Sequence, residues 1–198
     1  AFIGHNGAGK TTMIKSIVGI LDFEEGDIFI NHKSIKKDPI GCKLEMAYVP
    51  DNPDLYENMT TIDFINFVCD MYNIPADVRK ENIEKYAEMF EMKDKLNDDI
   101  ASFSHGMKQK VALMAALSHN PNVLIMDEPF VGLDPKAVFD IKNIMKEMAK
   151  EGKTIFFSTH ILEVAEKLCD RVAIIKNGNI VKIGKMSDIK GSSSLEEV

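Results

Sequence analysis

The stretch of residues 103–135 constrains the fold of this chain more than any other part of the sequence. It begins near Ser104, a preferred helix-capping residue, continues through a lysine-rich amphipathic run, and then enters an apolar segment that ends at Asp127-Glu128. Helix starts attract phosphate groups, and the exits of parallel strands present carboxylates to magnesium. The order of these elements favours an α/β protein that binds an anion and a metal, although Ser104 alone is also typical of an ordinary helix cap.

A second motif lies at the start of the chain. Residues 4–12, GHNGAGKTT, fit the pattern G-x-x-x-x-G-K-[ST] between an apolar strand end and an apolar-periodic helix. Glycines let successive backbone N–H groups turn inward around phosphates, Lys10 reaches the β and γ phosphates, and the Thr11 hydroxyl can bind magnesium. His5 and Asn6 occupy free positions of the motif, which favours solvated loop positions for both. The pattern predicts a site for a nucleoside triphosphate.

The two motifs together resemble the ABC-type ATPases, in which a phosphate loop, a signature helix, a magnesium strand and a D-loop follow in this order. The resemblance implies an α/β fold, a three-layer P-loop NTPase core with a small helical subdomain, truncated at both ends. Residues 1–55 and 121–198 would form the core, and residues 56–120 the helical subdomain that ends in the signature helix. Residues 194–198 look like the opening of a further element.

The resemblance also implies catalytic roles. Glu128 would polarise the attacking water, His160 would sense the γ-phosphate, and Lys10 would complete the expected catalytic set. A surface acidic pair and a solvated histidine are the plain alternatives for Asp127-Glu128 and His160.

ATP and Mg²⁺ are the expected cofactors. Thr11 and Asp127 would hold the metal, with Asp51 as a third ligand. Ser104 and Gly106 would reach the γ-phosphate of a second copy, with Asp134 on the seam between the copies. The expected nucleotide-binding residues are Gly4, Asn6, Gly7, Ala8, Gly9, Lys10, Thr11, Thr12, Asp51, Ser104, Gly106 and Asp134.

Two motifs depart from the family pattern. The signature reads FSHGM at residues 103–107 instead of LSGGQ, and similar variants occur among bacterial exporters of drugs, peptides or lipids. The usual glutamine of the Q-loop is replaced by Asp51, which is shorter and normally ionised. We expect Asp51 to approach the site together with magnesium. The alternatives are that Asp51 is a turn residue in solvent, or that a one-residue slip brings in Asn52.

Composition narrows the choice of partners. The net charge of −7 argues against a broad nucleic-acid surface, because phosphate neutralisation needs clustered lysine and arginine. The longest uninterrupted apolar run, residues 111–117, is far shorter than the roughly 20 residues that cross a bilayer. The resemblance implies two partners, a transmembrane permease and a second ATP-binding domain in a head-to-tail dimer, at the cytoplasmic face of the cell membrane.

The expected function is ATP hydrolysis that powers a membrane transporter, most similar to the exporter branch. Two alternatives stay open at this point. One is a soluble ABC-type machine acting on ribosomes or DNA ends, and the other is a regulatory ATP-binding module without hydrolysis.

Periodicity and turn residues predict the other elements. Strands are expected at residues 27–31, 45–49, 123–126 and 154–159. Two helices are expected between residue 60 and about residue 92, the second with an apolar stripe of Ile83, Tyr86, Ala87 and Phe90, and further helices after Ser104 and from Asp134 to about residue 150. A hairpin around Asn177-Gly178 is expected over residues 171–183, and residues 93–99 are the best linker candidate.

Overall fold

The computed structural model describes residues 1–190 of the chain. The strands are β1 Phe2–Ile3, β2 Phe29–Ile30, β3 Lys33–Ser34, β4 Met46–Val49, β5 Val123–Met126, β6 Thr154–Thr159, β7 Arg171–Lys176 and β8 Asn179–Lys185. The helices are α1 Lys10–Ile17, α2 Pro39–Glu45, α3 Thr61–Met71, α4 Ala76–Met89, α5 His105–Ser118, α6 Pro135–Lys150, α7 Leu162–Leu168 and α8 Met186–Lys190, with 3₁₀ turns at Lys93–Lys95 and Ile100–Ser102.

The main sheet has the strand order β4-β5-β6-β1-β7-β8. The first five of these strands are parallel, and β8 runs antiparallel to β7. Parallel strands all leave the sheet at the same edge, so the loops after β4, β5, β6, β1 and β7 converge there. The phosphate loop follows β1, and the acidic pair Asp127-Glu128 follows β5.

Helices cover both faces of this sheet. Along β5, Leu124 and Met126 pack into the apolar cluster shared with α3, α4, α5 and α6, whereas Ile125 packs with α1 and α2 on the other face. This alternation follows from the two-residue side-chain period of a strand, and it explains why the apolar run of β5 carries no polar face. The predicted three-layer α/β P-loop fold is confirmed.

Side chains cap the N-termini of α5 and α6, the two helices that follow the predicted site residues Ser104 and Asp134. Ser104 Oγ accepts from Met107 N at 3.3 Å at the start of α5, and Asp134 Oδ1 accepts from Ala137 N at 2.8 Å at the start of α6. Pro135 occupies the first turn of α6, where its missing N–H leaves no helical bond unmade. Capping therefore places these helix starts at the residues that the sequence indicated.

Helix α5 is the most buried of the long helices, and its residues from Val111 to Ser118 are all enclosed. It packs against α3, α4 and β4, so it joins the helical residues to the sheet. The division into a core of residues 1–55 and 121–198 and a helical subdomain of residues 56–120 stays a prediction.

Two local predictions need correction. The strand expected at residues 27–31 is only Phe29–Ile30, because Asn31 and His32 both adopt positive φ and turn the chain back into β3. Helix α2 was not predicted, although Asp38 caps it through a 2.9 Å bond from Gly41 N and Pro39 follows the cap. The hairpin of β7 and β8 lies where expected, and the element expected at residues 194–198 lies outside the described residues.

Candidate active site

The phosphate loop links β1 to α1, and its glycines adopt conformations that favour them. Gly7 has φ +80° and Gly9 has φ +106°, both in the left-handed region. A Cβ on Gly4 would lie 2.6 Å from Ile175 O, so a side chain at that position would collide with the backbone of β7. Gly4 therefore lets the loop lie directly against the neighbouring strand.

The turn between β7 and β8 supports the loop from outside. Gly178 N donates to Ala8 O at 2.9 Å, which joins the tip of the hairpin to the middle of the phosphate loop. Ala8 is buried, whereas Asn6, Gly7 and Thr12 are exposed. The backbone of the loop is thus held on one side and open to solvent on the other.

Lys10 is buried where the loop and β5 meet. Its Nζ donates to Gly4 O at 2.6 Å and to His5 O at 3.3 Å, and lies 3.1 Å from Glu128 Oε1. These contacts hold the Lys10 ammonium group between the phosphate loop and the acidic pair. Phosphate oxygens entering the loop would meet this cation directly.

Asp127 sits at the end of β5 and is 1% exposed. Thr11 Oγ1 donates to Asp127 Oδ2 at 2.6 Å, and Ser158 Oγ donates to the other carboxylate oxygen. The structure therefore brings Thr11 and Asp127 together, as predicted for a metal site.

Hard oxygen donors of this kind suit magnesium, which takes one or two carboxylates and completes its octahedral shell with water and substrate phosphates. Residues 1–190 hold no group of three or more His, Cys, Asp or Glu side chains that would bind a metal without such additional ligands. The pair Thr11 and Asp127 fits magnesium held jointly with a nucleotide.

Glu128 and His160 form a second pair at this edge. His160 Nδ1 lies 2.9 Å from Glu128 Oε2, where the ring donates and the carboxylate accepts. Glu128 has φ +46°, a left-handed conformation that is costly for a residue with a long side chain. Its other oxygen, Oε1, is buried and has no hydrogen-bond partner among the described residues, although the charge of Lys10 is close.

Asp51 lies after β4, at the same edge of the sheet. Partial burial raises the pKa of its carboxyl group, and the negative charges of Asp127 and Glu128 raise it further, while His105 and His160 oppose them. Its side chain is thus partly shielded although the residue as a whole remains exposed, and its carboxyl group interacts with the charges of the acidic pair. The role of Asp51 toward a metal stays a prediction.

The start of α5, the signature helix, packs against residues 132–135, the D-loop of the same chain. A Cβ on Gly106 would lie 2.8 Å from Gly132 O, and a Cβ on Gly132 would lie 2.9 Å from His105 Cδ2. No hydrogen bond among residues 1–190 joins Ser104 or Gly106 to the phosphate loop. These two predicted nucleotide contacts are therefore not part of the site that this chain forms by itself.

Asp134 is already engaged within its own chain. Besides capping α6, its Oδ2 lies 2.7 Å from Lys110 Nζ on α5. The Lys110 cation and the Ala137 amide lower the pKa of Asp134. This pair ties the signature helix to the D-loop, a contact that sequence reasoning missed because Lys110 looks like one more lysine on an amphipathic helix.

Ser158 is a second missed residue. It is a buried hydroxyl in the apolar strand β6, two residues before His160, and it contacts both members of the acidic pair. The one signal in the sequence was a serine that directly follows the apolar run Ile155-Phe156-Phe157 in its strand.

A glycine-rich phosphate loop, a buried lysine, a hydroxyl–carboxylate pair and a glutamate at the exits of adjacent parallel strands define a P-loop nucleoside triphosphatase. The profile of the ABC transporter family matches residues 1–131. The chain therefore belongs to the ABC transporter family, within which it is an ATP-binding ATPase domain.

Individual relatives agree with this placement. The chain is 36% identical over 195 residues to the ABC-type transporter ATP-binding protein EcsA of Bacillus subtilis, covering 98% of this chain and 79% of that protein. It is 34% identical to the linearmycin resistance ATP-binding protein LnrL of the same organism, covering 94% of this chain and 60% of LnrL.

Solved structures show the same fold. A structure described as the ATP binding subunit of an ABC transporter superposes with a TM-score of 0.94 at 35% identity, covering 99% of this chain and 84% of that one. The dimeric ATP-binding cassette MJ0796 bound to ADP and Pi has a TM-score of 0.82 at 24% identity, covering 93% and 84%, and shows a shared fold. Within residues 1–190, no helix combines the length and the apolar character needed to cross a membrane.

Proposed function

We propose that this domain hydrolyses MgATP to power a membrane exporter. The observation that carries the catalytic part is Glu128, whose Oε2 is held by His160 and whose buried Oε1 lies 3.1 Å from Lys10 Nζ with no hydrogen-bond partner among residues 1–190. A carboxylate oxygen of this kind can accept a hydrogen bond from a water molecule and polarise it for attack.

The phosphate-binding residues act by position and charge. The backbone N–H groups of the loop would surround the phosphates, Lys10 would bind the β and γ phosphates, and Thr12 would contact the α-phosphate. Thr11 and Asp127 would hold magnesium, with Asp51 nearby. Bound magnesium neutralises charge on the phosphates and orients them.

His160 orients Glu128 through its Nδ1 proton, which leaves the other ring nitrogen free to face the γ-phosphate. Phosphate bound next to Lys10 would compete with Glu128 for the lysine charge, because Lys10 Nζ and Glu128 Oε1 are only 3.1 Å apart. Substrate binding and release of the glutamate from Lys10 would then be coupled.

A second copy of the domain would complete the site. Ser104 lies at the exposed N-terminus of α5, where its hydroxyl and the N–H of Gly106 could face the γ-phosphate of a partner arranged head to tail. Asp134 would lie on the seam between the copies, near the signature helix to which Lys110 ties it.

This domain has a surface on which a transmembrane partner could dock. A cavity of about 210 Å³ lies between β4, α3 and α5, lined by Tyr48, Pro50, Pro53 and other residues of these elements. Tyr56 is exposed, and its ring contacts Phe64 of the cavity wall and the exposed Phe67. Met71, on the same helix α3, is also exposed. Aromatic residues and methionine are enriched in protein interfaces, so a permease docked here would fix the domain at the cytoplasmic face of the cell membrane.

Export, rather than import, is supported by the signature variant FSHGM and by the resistance function in the name of the relative LnrL.

Glu128→Gln tests the catalytic assignment. The amide keeps the shape of the side chain but lacks the basic carboxylate, so ATP turnover is expected to fall by about 100-fold or more while equilibrium ATP binding persists. Glu163→Gln is the matched control, since Glu163 is an exposed residue that forms an ion pair with Lys167 one turn along α7. Near-normal turnover in Glu128→Gln would contradict the proposal, as would an equal loss in both variants.

A further inference from the structure

The buried hydroxyl of Ser158 connects the two carboxylate residues of the site. Ser158 is 0% exposed and lies near the end of β6, between β5 and β1 in the sheet. Its Oγ donates to Asp127 Oδ1 and accepts from Glu128 N at 3.0 Å. The Ser158 hydroxyl thus uses its hydrogen to bond Asp127 and a lone pair of its oxygen to bond Glu128, so it contacts both residues of the acidic pair.

These bonds bear on the orientation of each carboxylate. Asp127 accepts from Thr11 on one oxygen and from Ser158 on the other, so rotation of its carboxylate is opposed from both sides. Residues that orient a metal ligand in this way tune the affinity of the ligand for its metal.

Glu128 depends on Ser158 through its backbone. Its φ of +46° is unfavourable for glutamate, and the bond from its N–H to Ser158 Oγ holds the residue in that conformation. The same conformation directs the side chain toward Lys10 and His160.

We infer that Ser158 is a positioning residue for ATP hydrolysis, which orients Asp127 toward magnesium and fixes the backbone of Glu128 for its role in catalysis. The inference rests on the proposed roles of these two carboxylates. Ser158 itself touches neither substrate nor metal; it acts through Asp127 and Glu128.

Ser158→Ala tests the inference, with Ser118→Ala as the matched control. Ser118 is also 0% exposed, but its Oγ donates only to Met114 O within α5. For Ser158→Ala we expect kcat to fall by about 10- to 100-fold and the half-saturating magnesium concentration to rise by a similar factor. Magnesium-free ATP binding should change by less than about threefold, because Ser158 does not contact the phosphate loop.

A readout independent of activity is hydrogen exchange of the Glu128 amide, followed by NMR on labelled protein without nucleotide. Loss of the acceptor is expected to speed this exchange by roughly tenfold in Ser158→Ala and to leave it unchanged in Ser118→Ala. Ser158→Cys keeps the shape with weaker hydrogen bonding, so it should show intermediate effects, and it replaces the alanine variant if that variant does not fold.

Unchanged amide exchange together with an unchanged magnesium requirement would overturn the inference, and so would equal effects in Ser118→Ala. Near-normal turnover in Glu128→Gln would instead refute the catalytic role of Glu128. The amide and magnesium measurements on Ser158→Ala keep their meaning in that case, so the two failures can be told apart.

Discussion

His119 makes the stability of this domain depend on pH. The residue follows α5, its side chain is 7% exposed, and its ring stacks on Tyr72 with the centroids 3.6 Å apart and the planes 6° from parallel. Burial lowers the pKa of His119 from 6.5 to about 4, because the charged ring would lose its hydration. Tyr72 Oη donates to Met46 O at 3.2 Å, so the stack joins α5 to α3 and β4.

The direction of the effect follows from proton binding. Below pH 6.5 the unfolded chain takes up a proton at His119 that the folded chain binds only near pH 4. The contribution of His119 to the free energy of unfolding is therefore fully present above pH 6.5 and is lost as the pH falls toward 4. From these two pKa values, the loss between pH 7 and pH 5 is about 2 kcal/mol.

Urea unfolding followed by circular dichroism at pH 7 and pH 5 measures this loss. His119→Phe keeps an aromatic ring against Tyr72 but cannot titrate, so its free energy of unfolding should fall by about 2 kcal/mol less than that of the wild type between these pH values. His32→Asn is the control, since His32 is exposed and asparagine tolerates its positive φ. An identical pH dependence in His119→Phe and the wild type would show that burial of His119 does not set the pH dependence of stability.

Two further predictions concern nucleotide binding and assembly. Asp51→Asn removes on the order of 1 kcal/mol of repulsion from ATP, so ATP binding without magnesium should strengthen by about fivefold while magnesium-dependent binding weakens. ATP affinities measured with and without magnesium check this, and Asn52→Ala tests whether Asn52 takes the place of Asp51. Unchanged affinities in Asp51→Asn would exclude a metal-linked role for Asp51. Because Ser104 and Gly106 make no bond to the phosphate loop of their own chain, ATP hydrolysis per domain should rise with protein concentration; strictly proportional activity over a wide dilution range would contradict a shared site.

Much of the site could be predicted because its residues lie at strand exits. The phosphate-loop pattern and the apolar run before Asp127-Glu128 mark two such exits, and the parallel sheet brings them together without further information. The left-handed glycines at Gly7 and Gly9 likewise follow from the motif.

The residues that sequence reasoning missed act through contacts between distant elements. Ser158 and Asp127 are 31 residues apart, and only the pairing of β5 with β6 makes them neighbours. Lys110 reaches Asp134 because two helix starts pack together, which no periodicity reveals.

The rate of the chemical step in Glu128→Gln shows whether this carboxylate polarises the attacking water. Wild-type and variant domains are mixed with a smaller amount of radiolabelled ATP, so that protein sites exceed ATP and only one turnover occurs, and conversion of bound ATP to ADP and phosphate is followed after magnesium is added. We expect the variant to retain bound ATP and to cleave it at least about 100-fold more slowly than the wild type. Cleavage at the wild-type rate would contradict the assignment of Glu128 as the group that polarises the attacking water.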